Sequence, residues 1–362
     1  MQANFNSLQD EKEFNKALVE ILNLFGDKDK KVIQDAFIKR IGNVTSHPVG
    51  FINDKVNANE PGKSGYANGN VNGKMNLEWI SSSGSINNAI SQHYMRHELI
   101  HIFETAAHDA LSLDKKIINA QGIPEVNVKQ IGNRRYAAIN GTIYREIITG
   151  ESDNLIYGAG VCELFTDMMA LMSKVNSGIK YKQQLITVDD IMKRPMEDWN
   201  IEGITTGYMS AFPIIRLMIA TFSNFPEINY QKQIDFSEGI LFYTDNKTGK
   251  KKISNDFIYG SMCDPLFIAQ ECDRITGKVG SYFKLCNMID KVVNTCAEHR
   301  PINMEDVQNV INELDSICAL RMASKVADGS FSKQEAIKIG EEFEKQRASV
   351  QEEFSKSLRN RR

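Results

Sequence analysis

The strongest constraint on this chain is an H-E-x-x-H motif at residues 97–101. Residues four apart lie on the same face of an α-helix, so His97 and His101 can direct two imidazoles at one metal ion. Glu98 lies beside them, where its carboxylate can accept a proton from a water bound to that metal. The motif therefore predicts a helix over residues 86–111 with a metal site on one face. The alternative is a pair of ordinary histidines on an amphipathic helix.

A catalytic zinc site needs three protein ligands and keeps a further position open to water. A second apolar helix, predicted over residues 158–172, carries Glu163 and Asp167 one turn apart on one face. Apolar neighbours surround both carboxylates, which need partners if they are buried. A metal ion for Glu163 and an imidazole N–H for Asp167 would provide them. The alternative is that both acids are solvated on a helix surface.

Together, the H-E-L-I-H sequence and the E-L-F-T-D sequence that begins at Glu163 resemble the gluzincin zinc metallopeptidases of the thermolysin-like clan. The resemblance implies that His97, His101 and Glu163 bind Zn²⁺. It also implies that Glu98 is the general base and that Asp167 supports a zinc-bound histidine.

Two features depart from the family pattern. Cys162 stands where the family often has Asn, and the insert between His101 and Glu163 is much longer than in the best-known members. A small bacterial subgroup carries a longer insert here that includes a β-hairpin, and the chain is most similar to that subgroup. The resemblance covers about residues 75–172, less than a third of the chain.

Short strands are expected before and between the two helices. Residues 74–80 alternate in polarity and predict a strand, which in the family lines the substrate cleft. Alternating residues 134–139 and 142–148 flank an Asn-Gly pair and predict a β-hairpin in the insert. The predicted fold class is therefore α+β and zincin-like. A small N-terminal mixed sheet with the active-site helix would precede a mostly helical C-terminal half.

The same patterns divide the chain into four segments. They are an N-terminal helical hairpin (1–45), a zincin core with both ligand helices (46–175), a helical C-terminal subdomain (176–330) and a charged C-terminal helix (331–362). Ser332 is the expected N-cap of the last helix.

Two further side chains are candidates near the metal. His93 shares a helix face with His97 and His101, but it lies about 12 Å from His101 along the axis. Contact with a residue that supports a ligand, or partial exposure, is therefore favoured over ligation.

Tyr208 follows Gly207 in an element that resembles one in the same bacterial subgroup. It can polarise the scissile carbonyl, or simply pack at the start of a helix.

Composition limits the class of partner. A net charge of −3 gives no reason to expect nucleic acid, and no apolar run reaches the roughly eighteen residues of a membrane helix.

None of the six cysteines forms a C-x-x-C pair, so a cysteine zinc site is not expected. The first residues lack the pattern of a cleavable signal peptide, which predicts a cytoplasmic protein or export by another route. The oligomeric state stays open.

The expected function is zinc-dependent hydrolysis of a peptide bond in a protein or peptide substrate. The chain has no obvious G-x-M-E-N element for binding a free amino terminus, which favours an endopeptidase. The main alternative is a binding or regulatory protein with a zincin fold and little or no proteolytic activity. A helical scaffold without metal is a third possibility, which the two matched motifs together disfavour.

Overall fold

The computed structural model describes part of the chain in detail. It covers residues 8–24, 31, 35, 50–51, 65–69, 75–79, 92–100, 115–118, 124–131, 134–139, 154–157, 159–178, 180–181, 184–185, 207–222, 242–244, 251–253, 275–278 and 281–360. For the strands and for a few helical positions, only the backbone is described.

Seven helices account for most of the described residues. They are α1 (Leu8–Leu22), α2 (residues 92–100), α3 (Ala159–Val175), α4 (Phe212–Phe222), α5 (Ser281–Ala297), α6 (Met304–Ala327) and α7 (Lys333–Asn360), with a 3₁₀ turn at Tyr208–Ala211 before α4. No helix in the described part of the chain is both long enough and apolar enough to cross a membrane.

Side-chain caps start the two longest helices. The Asn303 side chain accepts a hydrogen bond from the Glu305 N–H at the start of α6. At the start of α7, the Ser332 hydroxyl accepts from the Glu335 N–H, and the Glu335 carboxylate accepts from the Ser332 N–H. This reciprocal capping box satisfies two backbone donors that the helix itself leaves unpaired. The prediction that Ser332 caps the last helix is confirmed.

Short strands pair through their backbones in four groups. The strands are β1 (Gly50–Phe51), β2 (Gly65–Gly69), β3 (Met75–Trp79), β4 (Lys115–Ile118), β5 (Pro124–Ile131), β6 (Arg134–Ile139), β7 (Asn154–Tyr157), β8 (Lys180–Tyr181), β9 (Gln184–Leu185), β10 (Phe242–Thr244) and β11 (Lys251–Ile253). β3 pairs with β1 in parallel and with β2 in antiparallel orientation. β4 to β7 form an antiparallel set in sequence order, and β8–β9 and β10–β11 are isolated pairs.

The predicted fold class, α+β and zincin-like with a small N-terminal mixed sheet, is wrong. Where the structure describes side chains it is 86% helical and contains no strand or sheet. Every described core residue lies on a helix or directly beside one. None of the described core side chains comes from β1, β2 or β3. The described fold is therefore a helical assembly.

The reason for this error lies in the residues available to the N-terminal sheet. β2 reads Gly-Tyr-Ala-Asn-Gly, and Gly and Asn are poor strand formers that offer little apolar surface to pack. The longer apolar patterns recur at helical spacing, as in α4 and α5, and a core forms where apolar surface can be removed from water. Polarity alternation over a few residues was therefore a weak guide to fold class.

The hairpin predicted in the insert is described only at its first strand, β6. β6 pairs with β5 on one edge and with β7 on the other edge. Residues 142–148 lie outside the described ones, as does the second helix of the predicted N-terminal hairpin apart from residues 31 and 35.

α3 lies at the centre of the helical assembly. It contacts α1, α4, α5 and the 3₁₀ turn, while α6 packs against α4, α5 and α7.

Two buried cations join the C-terminal helices. Arg216 of α4 forms an ion pair with Glu353 of α7, and Arg321 of α6 donates to the backbone carbonyl of Thr221 at 3.1 Å. These contacts give buried charges the partners that they need in an apolar interior.

The contact between α3 and α5 depends on a glycine. A Cβ atom at Gly160 would lie 2.8 Å from the Cα of Asp290 and 3.1 Å from Cβ of Val293. Because the nearest of these atoms belongs to the backbone of a helix, the two helices could not keep their present separation with any larger residue.

We predict opposite effects from two alanine substitutions in helices. Gly160→Ala should lower the free energy of unfolding by about 1–3 kcal/mol, because it forces α3 away from α5. Gly340→Ala, in α7, meets nothing within 4 Å and should raise it by about 0.5–1 kcal/mol. Chemical denaturation of both variants is the measurement. Equal effects of the two changes would show that α3 and α5 do not pack as described.

Candidate metal centre

Two helices bring three of the predicted site residues together. α2 contributes His97, and α3 contributes Glu163 and Asp167, one turn apart on the face that meets α2. Nε2 of His97 lies 2.9 Å from Oε2 of Glu163, and Nδ1 of His97 lies 3.2 Å from Oδ1 of Asp167. The two nitrogens of one imidazole therefore face two different carboxylates.

A second histidine shares the carboxylate of Asp167. Nε2 of His93 lies 2.6 Å from the same Oδ1 atom that faces His97, and the side chains of His93 and Asp167 are both completely buried. His93 precedes His97 by one turn of α2, so one carboxylate from α3 spans two successive imidazoles. The partial exposure that the sequence allowed for His93 is not observed.

The environment of Asp167 keeps its carboxylate ionised. Burial by itself raises the pKa of Asp167, but the charge of His93 and hydrogen bonds from His93 and His97 outweigh it and hold the pKa below its usual range. An ionised carboxylate only accepts hydrogen bonds, so the two imidazole nitrogens that face it carry hydrogens. This contact favours the tautomer of His97 with hydrogen on Nδ1, and Nε2 is the nitrogen directed at Glu163.

Tyr208 lies against the other side of His97. The two rings stack with centroids 5.7 Å apart and planes inclined by 12°. The turn that carries Tyr208 approaches α5 closely, because a Cβ atom at Gly207 would lie 2.6 Å from Cα of Ala297. The small residue at position 207 thus allows Tyr208 to reach the imidazole of His97. Its chemical role stays a prediction.

A buried ion pair ties α1 to the motif helix. Arg96, next to His97, donates from Nε and Nη2 to Oε2 of Glu20 at 3.1 and 2.5 Å, and its Nη1 donates to the carbonyl of Gln92. Neither sequence motif predicts this pair. A signal for it exists, because Glu20 interrupts the apolar stripe of α1 formed by Phe14, Ala17 and Ile21. A charge on such a stripe needs a buried partner.

The two described donor atoms, Nε2 of His97 and Oε2 of Glu163, are close enough to share a zinc ion. Two zinc ligand atoms bound at about 2.1 Å in tetrahedral geometry lie about 3.4 Å apart. Nε2 of His97 and Oε2 of Glu163, which are 2.9 Å apart, therefore need to separate by only about 0.5 Å. The Nδ1 contact with Asp167 is the carboxylate support that zinc-bound histidines usually have.

The complete ligand set is not tested by the structure. His101, the expected third ligand, lies outside the described residues, and within the described ones no group of three or more His, Cys, Asp or Glu side chains could hold a metal ion. Glu98, the expected base, follows His97 on α2 and is half-buried.

Comparisons with known proteins do not identify the chain: no family model, no curated protein and no solved structure matches it.

We predict that Asp167→Ala costs about 3–5 kcal/mol of unfolding free energy, because two buried imidazoles lose their shared acceptor. The matched control is Asp315→Ala, which breaks a partly exposed pair with Arg347 and should cost at most about 1 kcal/mol. Denaturant titrations of both variants give the comparison. A loss in Asp167→Ala no larger than in the control would contradict the described contacts.

Proposed function

We propose that this protein is a zinc-dependent peptidase in which His97, His101 and Glu163 hold the metal ion. The observation that carries the proposal is the double engagement of His97. Its Nε2 faces Glu163, the first acid of the E-x-x-x-D sequence, and its Nδ1 faces Asp167, the second. The sequence resemblance implies the same two roles, with Glu163 as a ligand and Asp167 as the support of a histidine. The H-E-x-x-H and E-x-x-x-D motifs are far apart along the chain.

The gradient of burial across these contacts also favours a metal ligand over a purely structural pair. Asp167 is fully buried, whereas the side chain of Glu163 is 19% exposed. The Nε2 side of His97 is therefore nearer to solvent than the Nδ1 side. A hydrolytic metal site needs this arrangement, because water and substrate must reach the metal while the supporting carboxylate stays in a dry environment.

The residues of this chain would divide the chemistry among them. When bound, Zn²⁺ supplies Lewis-acid activation of a water molecule and of the substrate carbonyl. Glu98 would take the proton of the attacking water and pass it to the leaving amine. Asp167 would keep the proton on Nδ1 of His97, so that Nε2 remains available as a ligand. Tyr208 is a candidate to donate a hydrogen bond to the carbonyl oxygen.

The proposed substrate is a protein or peptide, and cleavage within the chain is preferred over removal of a terminal residue. The proposal rests on the sequence, which has no obvious element for binding a free amino terminus. A binding or regulatory protein with little or no proteolytic activity is the competing proposal. Catalytic measurements on metal-loaded protein separate the two.

The first prediction from this proposal concerns metal content. The purified protein should contain close to one zinc ion per chain, and His97→Ala, His101→Ala and Glu163→Ala should each lose most of it, because three protein ligands are the minimum for such a site. His299→Asn, which changes an exposed histidine with a positive φ, is the control and should keep its zinc. Metal analysis of the dialysed proteins decides the outcome.

Unchanged zinc in Glu163→Ala would show that Glu163 is not a ligand. Zinc absent from the wild type after refolding with excess metal would contradict the metal site as a whole.

The second prediction separates the base from the ligands. Glu98→Gln should keep zinc and lower the rate of peptide hydrolysis by about 10²–10⁴-fold, because glutamine has a similar shape but cannot accept the proton. Glu341→Gln, an exposed change on α7, should leave both properties unaltered. The measurement is zinc content together with cleavage of a denatured protein substrate. Full activity in Glu98→Gln, or loss of its zinc, would remove Glu98 from this role.

A further inference from the structure

We propose that His93 is a positioning residue for the metal centre, which holds the Asp167 carboxylate where it fixes the orientation and tautomer of His97. This inference deepens the proposed function and rests on it. It gives a role to a buried histidine that is neither an expected ligand nor part of the H-E-x-x-H motif.

The first observation is the geometry of the shared oxygen. Oδ1 of Asp167 lies 2.6 Å from Nε2 of His93 and 3.2 Å from Nδ1 of His97. The shorter of the two contacts is the one with His93. A rotation of the carboxylate that broke this contact would also change the contact with His97, because the same oxygen serves both. His93 therefore restrains the atom that orients His97.

The second observation is the cost of placing a histidine here. His93 is completely buried, and among the described residues its Nδ1 atom has no hydrogen-bond partner. An apolar side chain would avoid this unsatisfied polar atom. A histidine at this position is therefore poorly explained by packing alone. Its one described hydrogen bond is the contact with Asp167.

His93 is not placed as a ligand itself. Its Nε2 atom faces Asp167 rather than Glu163, whereas His97 reaches both acids. Among the described contacts of α3 with the two imidazoles, the one with Glu163 is made by His97 alone. The contact through Asp167 is thus the route by which His93 can influence zinc binding.

Substitutions that keep or remove the donor test this role. Glutamine places an N–H group at nearly the position of Nε2, whereas leucine fills a similar volume and has no donor. His93→Leu should weaken zinc binding about tenfold to a hundredfold, and His93→Gln should stay within about threefold of the wild type. The measurement is the zinc dissociation constant from competition with a chromophoric chelator.

A matched control separates positioning from general stability. Thr221→Val removes a buried hydroxyl that has no hydrogen-bond partner among the described residues, on a helix that does not carry a proposed ligand. It should leave the zinc dissociation constant unchanged. Thermal unfolding of each metal-free variant is recorded in parallel. Positioning predicts weaker zinc binding in His93→Leu even if the variant is as stable as the wild type.

A second readout uses the metal-free protein. The Nδ1–H proton of His97 should give a protected, downfield NMR signal in the wild type and in His93→Gln, and the signal should broaden or disappear in His93→Leu. If the wild type binds no zinc but this dependence holds, the proposed function fails and the positioning role stands. If His93→Leu does not fold, His93→Asn, which has a shorter reach, takes its place and should also weaken zinc binding.

Two results would overturn the inference. One is a zinc dissociation constant in His93→Leu equal to that of the wild type, when the wild type binds zinc. The other is an equal loss in His93→Leu and His93→Gln, because the shape of the ring rather than its N–H donor would then matter.

Discussion

The buried carboxylate of Asp167 is the contact on which the site depends. It lies between two imidazoles of α2 and comes from α3, so it joins the two helices that carry both sequence motifs. A buried charge of this kind is tolerated only with good hydrogen-bond partners, and the two histidines provide them. Those partners include His97, the residue expected to bind metal. The stability of the helix pair and the geometry of the site therefore depend on the same interaction.

Other helices hold this pair from two sides. On one side, α1 reaches α2 through Glu20 and Arg96, next to His97. On the other side, α5 approaches both α3 and the turn that carries Tyr208, and each approach occurs at a glycine. The ligand-bearing helices are therefore restrained by elements that contribute no expected ligand. A rigid surrounding of this kind reduces the reorganisation needed when a metal ion binds.

The sequence predicted individual helices better than the fold class. The helix predicted over residues 158–172 is observed as α3, Ala159–Val175, because apolar residues at helical spacing are a strong local signal. The N-terminal mixed sheet was inferred from short alternating runs and from a family resemblance, and neither specifies what packs on a sheet. The order of strands β5, β6 and β7 was not predicted for a related reason, because strand partners are set by contacts between segments that can be far apart in sequence.

The sequence by itself determined which residues could form the site. Spacings of four within two separate motifs placed His97 on one helix face and Glu163 and Asp167 on another, since helical geometry is a local property. Only the tertiary structure decided that these faces meet, that His93 shares Asp167 and that Arg96 is neutralised by Glu20. Such pairings join residues tens of positions apart, and they follow from how the helices pack rather than from any local pattern.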